Sequence, residues 1–152
     1  MNLSAMAESR QFYLVARCGE LRLAIPVALL REVLEADSVA WTEGDSCLGG
    51  LIVWQGRSLF AQPLSQLPGW RQSHEGHCRH LLVVEADRAL HGLLVDDIVG
   101  IFPAEGFILH DVPEILRSPD LLYGRLAVRN AEVMVVCGRN FFAGFAEAGG
   151  ST

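Results

Sequence analysis

A cluster of histidine and cysteine side chains is the first candidate for chemistry, because His74, His77, Cys78 and His80 stand close together in the chain. Imidazole and thiolate groups are ligands that Zn²⁺ prefers, and a closed zinc site needs about four of them. The spacing matches no zinc finger or zinc ribbon. On an extended segment, Cys78 and His80 would share one face and His77 would point to the other. A solvated loop is the favoured interpretation, and a metal- or small-ligand-binding β-barrel protein that uses these four residues is the alternative.

Two adjacent carboxylates, Asp96 and Asp97, are the second candidate. Paired carboxylates can act as general acid and base or hold a metal. Here they stand in a strand-like run from residue 93 to residue 99, where neighbours point to opposite faces of a sheet. The geometry favours a structural role, with one carboxylate hydrogen-bonded near a strand end and the other solvated. A hydrolase that pairs Asp96 with His91 or His110 is a further alternative.

The motifs of common enzyme classes are absent from the sequence: GxGxxG, GxxxxGK, GxSxG, HExxH and the EF-hand loop. All 12 basic residues are arginine, which excludes mechanisms that need a P-loop lysine or a Schiff-base lysine. The pattern indicates a binding or scaffolding module.

The charge and hydropathy of the chain exclude several classes of partner. Its 12 basic and 18 acidic residues give a net charge of −6, which disfavours binding to nucleic acid and to anionic membranes. The longest apolar runs are far shorter than the ~20 residues of a membrane-spanning helix. Residues 1–10 lack the basic and apolar regions of a signal peptide. We therefore expect no nucleic-acid partner, no membrane insertion and a cytoplasmic location.

Short β-rich segments separated by turn signals dominate the chain and predict an all-β fold of barrel type. The expected strands are 12–18, 21–25, 49–54, 58–62, 80–86, 90–99, 126–128 and 132–137. Pro26 followed by apolar residues at helical spacing predicts one short helix over residues 27–35. Residues 103–119 show only a weak mixture of helix and coil signals. The apolar tail with Phe141 and Phe142 must dock on the rest of the fold.

Four stretches, taken in order, resemble the CheW-like domain family over residues 12–142. The resemblance rests on the opening with Phe12–Val15, Gly19-Glu20 and Ala24–Val27, on Leu30-Arg31-Glu32-Val33-Leu34, on Gly50–Arg57, and on Gly92–Ile101. It implies two small five-stranded β-barrel lobes packed together, with one or two short helices. Residues 1–10 have the pattern of a flexible start. We expect a single CheW-like domain of two lobes at 11–146 and a flexible tail at 147–152.

The function that this resemblance implies is that of a non-catalytic signalling adaptor without cofactor or metal. The partners would be the regulatory domain of a CheA-type histidine kinase, the cytoplasmic tip of a chemoreceptor and other CheW-like domains. The pathway would be chemotaxis or type IV pilus motility. The partner-binding residues carried over are Leu30, Val33, Gln55, Gly56 and Arg57. Gln55 departs from the family, which has an arginine at this partner-binding position.

Overall fold

The computed structural model describes residues 11–63, 78–112 and 125–143, and these form twelve strands. The strands are β1 (Phe12–Cys18), β2 (Leu21–Pro26), β3 (Leu30–Glu35), β4 (Trp41–Asp45), β5 (Gly49–Trp54), β6 (Arg57–Pro63), β7 (His80–Ala86), β8 (Ala89–Val95), β9 (Asp97–Pro103), β10 (Ile108–Asp111), β11 (Arg125–Arg129) and β12 (Glu132–Val136). Single 3₁₀ turns span Val27–Leu29, Ala36–Ser38 and Ala104–Gly106. A short helix covers residues 139–143.

The strands form two six-stranded sheets. Sheet A has the order β10-β11-β12-β2-β1-β9, and sheet B has the order β3-β7-β8-β6-β5-β4. Most neighbours are antiparallel, while β12 runs parallel to β2 and β6 runs parallel to β8. The mainly β fold is confirmed, but each sheet has six strands rather than five, and closure of each sheet into a barrel remains a prediction.

The two sheets repeat one connectivity. Each contains a hairpin (β1–β2 or β7–β8) and a three-stranded meander whose last strand lies parallel to the hairpin's second strand. Each is completed by an edge strand that follows the other sheet's hairpin, so β9 pairs with β1 and β3 pairs with β7. The chain therefore exchanges one strand between two similar halves, which ties the sheets together.

Three apolar clusters follow from the alternation of side chains along these strands. One cluster, which we call the inter-lobe core, joins the two sheets; it contains Leu14, Leu23 and Ile25 from sheet A and Leu82, Leu93 and Val95 from sheet B. The opposite face of sheet B holds a second cluster around Ile52, Leu81 and Leu94. The opposite face of sheet A holds a third cluster around Tyr13, Val15 and Met134.

The prediction of a helix over residues 27–35 is wrong. Residues 27–29 form a 3₁₀ turn, and Leu30–Glu35 is strand β3, hydrogen-bonded to β7. The register shifts between Leu30 and Glu32, so one extra residue is inserted there. Because of this bulge, Leu30 pairs with Val84 and Val33 pairs with Leu82. The two partner residues, Leu82 and Val84, both belong to the inter-lobe core. The helix-like spacing of three between apolar residues is thus produced by a bulged strand.

The single strand expected over residues 90–99 is two strands in different sheets. β8 ends at Val95 in sheet B, and β9 begins at Asp97 in sheet A. Asp96 lies at the bend: its N–H donates to the Arg17 carbonyl at 2.9 Å, and its Oδ2 accepts from the Gly19 N–H at 2.6 Å. These bonds fix the point where the chain crosses between sheets.

Strands β4 and β10 were not expected from the sequence. Four of the five residues of β4 and three of the four residues of β10 are exposed, so neither strand shows an alternating apolar pattern. The flexible ends expected at 1–10 and 147–152 lie outside the described residues.

The turn between β11 and β12 offers a test of local strain. Asn130 and Ala131 have φ values of 51° and 64°. This left-handed pair is typical of a two-residue hairpin turn, in which glycine is preferred at the second position. Ala131→Gly is expected to raise the free energy of unfolding by about 0.5–1 kcal/mol, because glycine adopts positive φ without steric cost. Urea unfolding measures this. The matched variant Ala28→Gly, on an exposed residue of a 3₁₀ turn, should not stabilise, and equal gains would contradict the explanation.

Candidate functional site

The five expected partner-binding residues lie on β3 and on the turn between β5 and β6. Leu30 is half-buried and packs against the inter-lobe core, whereas Val33 is 39% exposed. Gln55, Gly56 and Arg57 are all exposed. Val33 and Gln55 therefore have exposed side chains, while Leu30 contributes mainly to packing.

The turn is a tight two-residue hairpin connection between the paired residues Trp54 and Arg57. Gln55 and Gly56 have φ values of 48° and 78°, the positive pair typical of this turn type. A Cβ at Gly56 would meet no atom within 4 Å, so conformation rather than space favours glycine there.

A carboxylate, Glu85, joins β3 to this turn. Its Oε1 accepts a hydrogen bond from Arg31 Nε at 3.1 Å, and its Oε2 accepts one from Arg57 Nη1 at 2.8 Å. Arg57 Nη2 also donates to the Arg88 carbonyl at 3.1 Å. Hydrogen bonds from Arg57 and Arg31 lower the pKa of Glu85. Arg57 therefore holds the turn in position and is not a free cationic contact.

A second hydrogen bond joins β3 to the segment that carries the turn, and its donor is the indole of Trp54. Trp54 Nε1 donates to Glu32 Oε2 at 2.8 Å, from the end of β5 to the middle of β3. Together with Glu85, this contact ties Arg31 and Glu32 of β3 to the turn. We call the exposed residues of these two segments, Val33, Gln55, Gly56 and Arg57, the β3–turn surface. Val33 itself pairs with Leu82 and faces the inter-lobe core, whereas Glu32 pairs with Val83 on the other face of β3.

The internal repeat adds a residue that sequence reasoning missed. In β9 the register also shifts by one residue, so Ile98 pairs with Ala16 and Ile101 with Leu14, both of which belong to the inter-lobe core. Ile98 packs on that core as Leu30 does, and Ile101 is 56% exposed, as the counterpart of Val33. Each sheet thus presents a bulged edge strand with an exposed aliphatic residue, Val33 or Ile101, on the face of the inter-lobe core, and β9 also exposes Val99. Comparing Leu30–Leu34 with Ile98–Phe102 in the sequence could have shown this.

The histidine and cysteine cluster is only partly described, because His74 and His77 lie outside the described residues. Cys78 is buried, and this burial raises the pKa of its thiol to about 12. A thiol with such a raised pKa is a poor source of the thiolate that zinc needs. Within residues 11–63, 78–112 and 125–143, no group of three or more His, Cys, Asp or Glu is placed to hold a metal ion.

The candidate acid–base residues have different surroundings. Asp96 anchors the bend between β8 and β9, and Asp97 forms an ion pair with Arg17 at 2.5 Å, which lowers the pKa of Asp97. His91 is buried, and its ring stacks on Phe142 with a centroid distance of 5.7 Å. His110 is exposed on the edge strand β10. Asp96 and Asp97 therefore have structural contacts, and the two histidines lie on different sheets.

The stability of the protein is expected to depend on pH through His91. Burial lowers the pKa of His91 below its usual value, so the folded chain keeps this ring neutral where the unfolded chain protonates it. Stability should be lost as pH falls through the unfolded pKa of about 6.5, at up to about 1.4 kcal/mol per pH unit. Urea unfolding from pH 7.5 to 5.5 measures this. His91→Phe should flatten the profile over that range and His110→Gln should not; identical profiles for wild type and His91→Phe would contradict the assignment.

No helix in the described part of the chain is long and apolar enough to cross a membrane.

Comparisons with known proteins agree with this architecture. The family model described as "CheW-like domain" matches residues 13–136. Among solved structures, the chain is similar to the scaffolding protein TtCheW from Thermoanaerobacter tengcongensis, with a TM-score of 0.64 and 16% sequence identity over 84% of this chain and 88% of that one. No curated protein sequence gave a significant match. At this identity, the structural likeness establishes the fold.

Proposed function

Because the chain belongs to the CheW-like domain family, we propose that it is a non-catalytic cytoplasmic signalling adaptor that couples a chemoreceptor tip to a CheA-type histidine kinase, in chemotaxis or type IV pilus motility. The family match over residues 13–136 carries this proposal. Other CheW-like domains are further partners of the same kind.

The structure supports the proposal with a surface suited to protein contacts. Edge strands carry unpaired backbone groups, and exposed aliphatic side chains beside them provide apolar anchors. Val33 on the edge strand β3 and Ile101 on the edge strand β9 have both features. The receptor tip or the kinase domain would contact these residues together with Gln55 and Gly56.

Gln55 would adjust which partner is held. It occupies the position where the family has an arginine, and the neighbouring arginine, Arg57, is bonded to Glu85 and to the Arg88 carbonyl. The surface therefore offers a neutral amide at the turn, and we propose that it favours a receptor without an acidic group there.

The test is capture of partners from a lysate of the source cell with tagged wild-type protein. Recovery of a CheA-type kinase together with a receptor supports the adaptor function, and recovery of neither overturns it. A Gln55→Arg variant, tested in parallel, should change the amount of receptor and leave the kinase unchanged. If the amount of receptor captured is the same for both proteins, Gln55 does not have the proposed role. Charge reversal at Arg57 is unsuitable, because it would place two carboxylates side by side at Glu85.

A further inference from the structure

A recessed cleft lies at one end of sheet A, where β1 and β11 begin and β2 and β12 end. It consists of two cavities of about 340 and 320 Å³. Both are lined by Tyr13, Pro26, Gly138 and Arg139, so they lie next to each other. These volumes are in the range of small-molecule sites.

The polar groups of the cleft are cationic or neutral. Arg139 lines both cavities and Arg125 lines the second, together with Asn140. None of the described lining residues is an aspartate or glutamate, although the chain has 18 of them and a net charge of −6. Such a cleft attracts an anion locally against the overall charge.

The two guanidinium groups are available for a ligand. Arg125 Nε lies 3.5 Å from Asp111 Oδ1, and both side chains are more than half exposed, so this ion pair is weak. In the part of the chain that the structure describes, Arg139 forms no ion pair with a carboxylate. Its exposed guanidinium can form two parallel hydrogen bonds to one carboxylate.

The walls of the cleft are apolar. Phe12, Val27 and Leu29 line the first cavity, and Val136 and Phe141 line the second. The ring of Tyr13 is fixed edge-on against Phe107 with a centroid distance of 5.0 Å. A few polar groups on a mostly apolar wall favour a ligand with a charged end and an apolar body.

We propose that this cleft binds a small organic carboxylate with an apolar body, whose carboxylate is held by Arg139 with support from Arg125. The apolar body lies against Phe12, Val27 and Leu29. This ligand would contact the 3₁₀ turn that leads directly into β3. The site is separate from the contacts proposed for the adaptor function, and its test does not depend on them.

Titration of the ¹⁵N-labelled full chain with 3-phenylpropionate and with octanoate, followed by NMR, tests the proposal. At least one of these acids should bind and shift the amide signals of residues 27–29 and 138–140. For 3-phenylpropionate, the neutral analogue 3-phenylpropanamide should bind at least about tenfold more weakly, because a charge-assisted hydrogen bond is lost. Binding of neither acid, shifts confined to other residues, or equal binding of acid and amide would overturn it.

A matched pair of variants assigns the charge. Arg139→Gln should weaken binding of the carboxylate at least about tenfold, while Arg79→Gln, an exposed arginine before β7, should leave it unchanged. Equal losses in both variants would indicate a general charge effect and overturn the site. Inorganic phosphate in a parallel titration should bind no better than the acids, and tighter binding of phosphate would replace the proposed ligand.

Discussion

Replacement of Val33 by aspartate is expected to lower the affinity for the kinase or receptor partner at least about thirtyfold while the fold is retained. Val33 is 39% exposed on the edge strand β3, and the neighbouring residue Glu32 is bonded to Trp54 at the start of the turn. A carboxylate in the apolar part of an interface must be desolvated without a partner, which costs about 2 kcal/mol or more, and the apolar contact of the valine is lost as well. Titration calorimetry with the purified partner domains measures the affinity, and circular dichroism checks the fold.

Two further variants make this result specific. Val133→Asp changes a valine that is 60% exposed on β12 of the other sheet, and it should leave the affinity within about threefold of wild type. Ile101→Asp changes the counterpart of Val33 on β9, so it should weaken one of the two partners as strongly. If Val33→Asp and Val133→Asp behave alike, the β3–turn surface is not the interface.

Much of the fold could be predicted from local signals. The segments that became β1, β2, β5, β6, β7 and β12 show apolar alternation or short apolar runs, and each is bounded by a turn signal such as Gly19-Glu20 or Gln55-Gly56. These signals act within a few residues, and the backbone geometry confirms them: Gly19, Gln55 and Gly56 have positive φ.

The errors arose where long-range pairing decides the local structure. The segment Leu30–Glu35 has apolar residues at a helical spacing, but its hydrogen bonds go to β7, some 50 residues later. A bulge then brings Leu30 and Val33 to one face. Periodicity alone cannot distinguish a helix from a bulged strand, because both place residues three apart on the same side.

The exchange of strands between sheets was equally hidden. Most residues from 90 to 99 are apolar, and the run before Asp96 contains no turn signal. The sequence therefore does not indicate that the chain leaves sheet B there. The bend is imposed by Arg17 and Gly19, which are almost 80 residues away in sequence. For the same reason the sequence placed Arg57 in the binding surface but could not show its ion pair with Glu85.

Replacement of Phe142 by alanine is expected to have the largest effect on stability, lowering the free energy of unfolding by about 3–5 kcal/mol. Phe142 is fully buried in the inter-lobe core, where its ring stacks on His91 and meets Phe141 edge-on with a centroid distance of 5.1 Å. Since small domains are stable by only about 5–15 kcal/mol, the melting temperature should fall by roughly 6–20 °C. Thermal unfolding followed by circular dichroism measures this shift.

This variant also tests how the apolar tail serves the fold. If the helix at residues 139–143 closes the inter-lobe core, Phe142→Ala will leave a cavity between the two sheets. The matched variant Phe60→Ala removes a ring that is 38% exposed on β6, and it should cost far less. Equal losses would mean that Phe142 adds only general hydrophobicity. A larger loss for Phe142 would show that the tail holds together the two sheets whose edge strands, β3 and β9, carry the proposed partner contacts.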